Sequence, residues 1–111
     1  MATATFVHDG KSIDYTPGAD VSAGDVVVQN DLVGVAKQPI AASALGALAV
    51  TGVFDFPKDT GSASAIAAGK TVYWDEDDEI ATETADGNTA LGKTIKAATA
   101  DDETVRVRMS Q

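Results

Sequence analysis

The sequence lacks cysteine altogether and contains a single histidine, His8, among its 111 residues. Without cysteine the chain cannot form disulfides, thiolate metal sites or a cysteine nucleophile. One histidine is also too few, within one chain, for a Ser–His–Asp relay or a metal site built from several histidines. Carboxylates are plentiful, but no pattern in the sequence places two of them in a cleft. We therefore predict that the protein is not an enzyme and has no catalytic residue, cofactor or bound metal ion.

Basic residues are scarce: 8 Lys and Arg stand against 17 Asp and Glu, which gives a net charge of −9. A protein that neutralises nucleic-acid phosphates needs clustered Lys and Arg, and the sequence has no such cluster. We therefore expect neither nucleic acid nor an anionic membrane as a partner, although a local basic patch at Arg106 and Arg108 stays open. The excess of acidic residues mainly favours solubility.

Long hydrophobic runs are missing too. The stretch from Ile40 to Phe54 carries no charge, but it is rich in Ala and Gly and shorter than the about 20 apolar residues of a spanning helix. A buried strand with its approach loop fits this stretch better. The first six residues have neither the basic region nor the apolar run of a secretory signal. We therefore expect no membrane partner.

The hydrophobic pattern predicts strands. Aromatic residues are only 5% of the chain, so the core should be thin and built mainly from Val, Ile, Leu and a few aromatics. We expect Trp74 to pack in this core, with a role as an interface anchor as the alternative. The last segment, residues 104–109, alternates three apolar residues with Arg106 and Arg108, as a half-buried antiparallel strand does. Other strand candidates, separated by turn residues, are Ser12–Tyr15, Asp25–Gln29, Leu32–Ala36, Leu48–Phe56, Lys70–Trp74, Glu79–Thr82 and Ala90–Ile95. We predict an all-β fold, a small single-domain barrel or sandwich, with at most one short helical turn, at Ser62–Ala67.

A weak internal duplication is visible at the level of short segments. The segment 21–28 (VSAGDVVV) aligns with 66–73 (IAAGKTVY), and 30–34 (NDLVG) resembles 88–92 (NTALG). The offset grows from 45 to 58 residues, which places an insertion in the acidic stretch Glu76–Gly87. We therefore expect residues 12–111 to form one β-domain with two similar halves at about 21–56 and 66–109. Chance similarity in a chain rich in Ala, Gly and Val remains the alternative.

The segment Gly87–Thr94 matches the phosphate-binding loop pattern G-x-x-x-x-G-K-[ST]. Such a loop works because a helix begins directly behind it and its backbone N–H groups cradle phosphates. Here an acidic, polar segment precedes the match and a β-strand pattern follows it. We therefore interpret the match as a turn followed by a strand. A nucleotide-binding module is the alternative.

The acidic run Asp75–Glu79 raises the question of calcium, which takes six to eight oxygen ligands. The run lacks the Gly and the distal Glu of the helix–loop–helix calcium motif. A solvated hairpin turn is the simpler interpretation, and whether the run binds a cation stays open.

Residues 1–11 form a candidate N-terminal arm. Thr5, Phe6 and Val7 favour extended backbone but precede the first strand, and His8 follows them. Such an arm either frays or adds as a strand to the sheet edge of a neighbour. We predict the second, which makes Thr5, Phe6, Val7 and His8 the candidate contacts with a partner protein or a second subunit if the protein assembles.

Taken in order, several segments resemble one family of small phage proteins. After a short N-terminal stretch that ends in a Gly, these segments are SAGDVVV, LVGVA, ALAVTGVFDFPK, IAAGKTVYWD, NTALGKTIKAA and TVRVRM, and the resemblance covers the chain from about Thr5 to Met109. The chain is therefore similar to the capsid cement, or head decoration, proteins of tailed bacteriophages. An older label links some members to recombinases, but a recombinase ATPase core is far longer than this chain.

The resemblance implies a structural protein of the virion. It would bind the outer surface of the head at junctions between major capsid proteins and stabilise the shell, after a period in the host cytoplasm before assembly. It also implies self-association, with a trimer favoured and a dimer or monomer as alternatives. A tail-associated or adaptor β-domain is the other class of structural protein that the sequence allows. The acidic stretch Glu76–Gly87 is longer than the family's usual hairpin, so the resemblance implies no contact surface there.

Overall fold

The computed structural model describes residues 4–7, 9–61 and 64–110. Strands and the turns and loops between them account for this part of the chain, and no helix occurs in it. The strands are β1 (Ser12–Tyr15), β2 (Val26–Gln29), β3 (Leu32–Val35), β4 (Gly46–Ala49), β5 (Gly52–Pro57), β6 (Thr71–Asp75), β7 (Ile80–Thr82), β8 (Thr89–Thr94) and β9 (Thr104–Met109). The predicted all-β fold is confirmed.

The strands form two antiparallel sheets that share one core. The first sheet has the order β1-β4-β3-β2, and the second has the order β5-β9-β8-β6-β7. Apolar side chains from both sheets meet in a core between the sheets, and this core includes the buried residues Phe56, Trp74 and Val107. The ring centroids of Phe56 and Trp74 lie 5.8 Å apart. This is the sandwich form of the prediction, and a closed barrel is not seen in the described residues.

The alternation of the last strand explains how the second sheet is covered on one side only. In β9 the side chains of Val105, Val107 and Met109 are buried, whereas Arg106 and Arg108 are exposed. Alternate residues of a strand point to opposite faces, so the apolar residues line the core and the arginines line the outer face. The sequence prediction for this segment is confirmed.

The first sheet is covered on its second face as well. Ile40 and Ala36, from the loop after β3, pack with Leu48 of β4 in a separate buried cluster. Between the hairpin strands β2 and β3, the two-residue turn places Asn30 at a φ of 53°. Asn tolerates this left-handed conformation better than most residues, which favours a tight hairpin turn here.

Two local predictions are wrong. The predicted strand Leu48–Phe56 is split at residues 50–51 into β4 and β5, which belong to different sheets, and Gly52 begins β5 with a φ of 124°. The chain needs this break because it crosses from the first sheet to the second. The predicted helical turn is replaced, in its described part, by extended backbone in which Ile66 and Ala98 exchange N–H···O bonds of 3.0 and 2.8 Å. Ser62 lies outside the described residues.

The two sheets repeat one strand order. Strands β1, β4, β3 and β2 correspond in order and direction to β5, β9, β8 and β6, and β7 is an addition at the edge of the second sheet. The register also repeats: Val27 pairs with Gly34 in the first sheet, and Val72 pairs with Gly92 in the second. These positions differ by the same 45 and 58 residues as the aligned sequence segments.

The loops that flank the corresponding hairpins repeat the same hydrogen bonds. Val21 and Ile40 exchange two N–H···O bonds, as Ile66 and Ala98 do. The N–H group of Gly24 donates to the carbonyl of Ala36 at 2.6 Å, and that of Gly69 donates to the carbonyl of Thr94 at 2.7 Å. An internal duplication predicts these correspondences. The first half was expected to extend to residue 56, but strand β5 belongs to the second sheet. The boundary between the two sheets therefore lies before β5.

Candidate interaction surfaces

The segment that matches the phosphate-binding loop lies mostly in strand β8. Thr94, its last residue, is buried, and its hydroxyl donates to the carbonyl of Ala67 at 2.7 Å and accepts from the N–H of Lys70 at 3.0 Å. No helix follows within the described residues, so the local structure lacks the helix N-terminus on which phosphate binding depends. The interpretation as a turn and a strand is confirmed.

Gly92 of the same segment has a packing role. A Cβ atom at this position would overlap the carbonyl oxygen of Arg108 on the neighbouring strand. Gly34, the corresponding residue of the first sheet, is similarly close to its neighbour, since a Cβ atom there would lie 2.9 Å from the Cβ of Leu48. The close approach of β8 and β9 therefore explains why position 92 is a glycine, and a role in phosphate binding is not needed to explain it.

The acidic run Asp75–Glu79 forms the hairpin turn between β6 and β7. One side-chain oxygen of Asp75 accepts from the N–H groups of Asp77 and Asp78 at 3.0 and 3.1 Å. Asp75 thus stabilises the turn itself, and residues 76–79 are exposed. In the described residues, no group of three or more His, Asp and Glu is arranged to hold a metal ion.

The described surface has shallow depressions. One, of about 400 Å³, lies beside β4 and is lined mainly by small and apolar residues, together with Lys37 and Gln38. Leu45, which is exposed, is one of its lining residues. The described part of the chain contains no helix, and therefore none that is long and apolar enough to cross a membrane.

The N-terminal arm presents apolar side chains to solvent. Phe6 is 80% exposed and Val7 is 81% exposed, and Thr5 is exposed beside them. His8, the fourth predicted contact, lies outside the described residues. The carbonyl of Lys11 accepts from the N–H of Val50 at 3.0 Å, which attaches the chain to the domain just before β1.

The outer face of the second sheet combines basic and apolar side chains. In one row across the strands, Val53 of β5 lies opposite Arg108 of β9, which lies opposite Lys93 of β8. In the next row Asp55 lies opposite Arg106, whose carbonyl accepts from the N–H of Ile95 at 3.0 Å. We define the basic face by its exposed residues, which are Val53, Lys93, Ile95, Lys96, Arg106 and Arg108.

Asp55 is the carboxylate within these two rows, and it is paired. Arg106 donates two hydrogen bonds to it, from Nε at 2.9 Å and from an η nitrogen at 3.2 Å. These bonds, with the positive charges of Arg106 and Lys96, hold the pKa of Asp55 below its ordinary value, and the same pair raises the pKa of Arg106. Both side chains are 47% exposed, so solvent and salt weaken the interaction.

The sequence revealed this face only in part. The alternation of β9 places Arg106 and Arg108 on one side, but their neighbours Lys93 and Val53 come from strands distant in sequence. Only the strand register brings those residues together. The sequence also contains no signal for the burial of Lys58, whose ammonium group lies inside the domain.

The chain was compared with known proteins. Neither a curated protein nor a solved structure matches it. The family model described as phage cement protein matches residues 7–109, which include every strand of both sheets.

Proposed function

Because the chain belongs to the phage cement protein family, we propose that it binds the outer surface of a tailed-phage head at junctions between major capsid proteins. In this role it stabilises the shell and is not an enzyme. The family match, which covers nearly the whole chain, is the observation that carries the proposal. Before assembly the protein resides in the host cytoplasm, and afterwards on the outer capsid surface.

The fold is suited to such a role. A cement protein can stabilise a shell through contacts that are individually weak, because the symmetry of the shell repeats each contact many times. The two sheets supply a rigid body, because Phe56, Val107 and the residues around them form a continuous core. The net charge of −9 favours solubility of the protein before it binds a capsid.

The N-terminal arm is the first proposed contact. Thr5, Phe6 and Val7 expose their side chains, and burial of exposed Phe and Val side chains contributes about 1.5–3 kcal/mol each. We place these residues, with His8, at the interface with the capsid or with a second subunit. An extended segment can pair with the free edge of a neighbouring sheet and use its backbone N–H and C=O groups as well.

The protein assembles as a trimer in this proposal. A closed cyclic arrangement would let the arm of one subunit reach the next, with each interface identical. A dimer and a monomer are the alternatives, and sedimentation of the purified protein at several concentrations distinguishes the three. Imaging of decorated heads gives the copy number at each lattice position.

The decisive experiment mixes the purified protein with expanded heads that lack decoration, followed by sedimentation and imaging. Saturable density at regular lattice positions, with higher resistance of the heads to heat, is the expected result. Failure to bind cognate heads would contradict the proposal. Binding to isolated tails in its place would identify a tail-associated or adaptor protein, the alternative that the sequence allows.

A further inference from the structure

Half of the basic residues of this acidic protein lie on one face. The chain has 8 Lys and Arg in all, and the basic face holds Lys93, Lys96, Arg106 and Arg108. The two rows of cross-strand pairs on this face contain one carboxylate, that of Asp55. The surface charge is therefore strongly asymmetric, although the net charge is −9.

A like-charge pair stands in the middle of this face. Lys93 and Arg108 are direct partners in the register of β8 and β9, and both are exposed. Like charges directly opposite each other on neighbouring strands are destabilising. The ion pair of this face joins Arg106 to Asp55, and no described carboxylate forms a salt bridge with Lys93, Lys96 or Arg108, although the charge of Lys96 also acts on Asp55. A partner that supplies carboxylates would remove this unfavourable interaction.

Apolar side chains lie beside these charges. Val53, directly opposite Arg108, is 51% exposed, and Ile95, next to Arg106, is 49% exposed. Interfaces between proteins combine arginine with partly exposed apolar side chains in this way, because the arginine stem and the apolar groups are buried together.

We infer that the basic face docks onto an acidic protein surface of the capsid shell and determines the orientation of the bound protein on the capsid. The inference rests on the proposed function and adds a second contact to the N-terminal arm. Most Asp and Glu residues lie outside this face, although Asp102 and Glu103 border it beside Lys96 and Arg106. An acidic partner is therefore repelled less by this face than by the rest of the surface. Charge complementarity thus gives orientation, and the apolar side chains add affinity once the face is in contact.

The test compares two variants with the same change in net charge. Lys93→Gln combined with Arg108→Gln removes two of the four positive charges of the face, whereas Lys37→Glu makes an equal change in net charge beside β4, away from the second sheet. Affinity for undecorated heads is measured by cosedimentation at low and moderate salt, and thermal unfolding is measured for each protein. The double variant should bind at least about tenfold more weakly, while Lys37→Glu binds like the wild type.

The stability measurement separates a binding role from a structural one. The double variant relieves the like-charge pair, so it should unfold at the same temperature as the wild type or higher while it loses affinity. The affinity of the wild type should also fall as salt rises, and that of the double variant should depend less on salt.

Each of the following outcomes would overturn the inference, and each would point to a different role for the face. Equal affinity of the double variant and the wild type would leave the proposed function standing and remove this contact. A change in oligomeric state without heads would assign the face to a second copy, and wild-type binding to DNA that the double variant loses would assign it to nucleic acid. If the wild type binds no heads, the proposed function fails first.

Discussion

The side-chain ammonium of Lys58 donates a hydrogen bond of 2.9 Å to the backbone carbonyl oxygen of Asp102, which lies 44 residues further along the chain. The same nitrogen donates to the carbonyls of Asp59 at 2.6 Å and Thr99 at 3.0 Å. An ammonium group has three donors, so the three carbonyls satisfy it fully. Lys58 is 6% exposed and joins the loop before β9 to the end of β5.

Replacement of Lys58 by Met should destabilise the domain by about 3 kcal/mol. The substitution keeps the length of the side chain but leaves carbonyl groups without their donor, at a cost of about 1–3 kcal/mol for each one that stays buried. Urea denaturation measures the change. Lys37→Met, at an exposed lysine, is the control and should alter the free energy of unfolding by less than about 0.5 kcal/mol. Equal stability of the two variants would contradict a structural role for Lys58.

Gly92→Ala should destabilise the protein by about 3 kcal/mol, because the new Cβ atom would overlap the backbone carbonyl of Arg108 and the two strands would have to separate. The matched control is Gly18→Ala, since nothing lies within 4 Å of a Cβ atom there. Thermal unfolding of both variants measures the difference. If Gly92→Ala unfolds like Gly18→Ala, the strands do not approach as closely as described.

ATP should not bind to the wild-type protein, despite the match at Gly87–Thr94. The hydroxyl of Thr94 is engaged with Ala67 and Lys70, and Lys93 points away from the core on an exposed strand face. Isothermal titration with Mg²⁺ and ATP measures this directly. A saturable heat that disappears in the variant Lys93→Ala would establish the nucleotide-binding alternative.

The pair Asp55–Arg106 should make a small contribution to stability that depends on pH. Because the folded state lowers the pKa of Asp55, the contribution is present above the unfolded pKa and disappears as the pH falls through the folded pKa. The difference in stability between the wild type and Asp55→Asn should therefore shrink below about pH 4. In NMR titration, Arg106→Gln should raise the pKa of Asp55. An unchanged pKa would show that Arg106 is not its partner in solution.

Local patterns of hydrophobic and turn residues were sufficient to predict most strands. The predicted Ser12–Tyr15 and the last six-residue strand agree with β1 and β9, because clear alternation and flanking turns define them. The break between β4 and β5 was not predictable, since residues 48–56 keep an apolar pattern while the chain changes sheets. The basic face depends on pairing between strands that are far apart in sequence, which a single sequence does not encode visibly.

The internal duplication stays a proposal, and the structure adds support of a kind that sequence similarity cannot. Gly34 and Gly92 occupy the same register position in the two sheets, and a side chain would be too close to its neighbour at both. Short segments rich in Ala and Gly can match by chance, but a shared strand order, register and loop hydrogen bonds are less easily explained in that way. In this proposal, the acidic hairpin with β7 is the insertion in the second half.

Deletion of residues 1–7 should leave a folded domain that no longer binds heads. Every strand in the described residues begins after residue 11, and the anchoring bond from the N–H of Val50 to the carbonyl of Lys11 is retained, so the unfolding temperature should stay close to that of the full chain. Cosedimentation with undecorated heads measures the loss of binding.

A full-length variant with Phe6→Ser and Val7→Ser separates the side chains of the arm from its backbone. Loss of two apolar contacts should weaken binding by about tenfold or more, because their burial contributes more than about 1.4 kcal/mol together. Leu45→Ser is the matched control, since Leu45 is 71% exposed but lies outside both proposed contacts. If the truncated protein binds as tightly as the full chain, the arm has no part in capsid attachment, and the basic face would then be the principal contact.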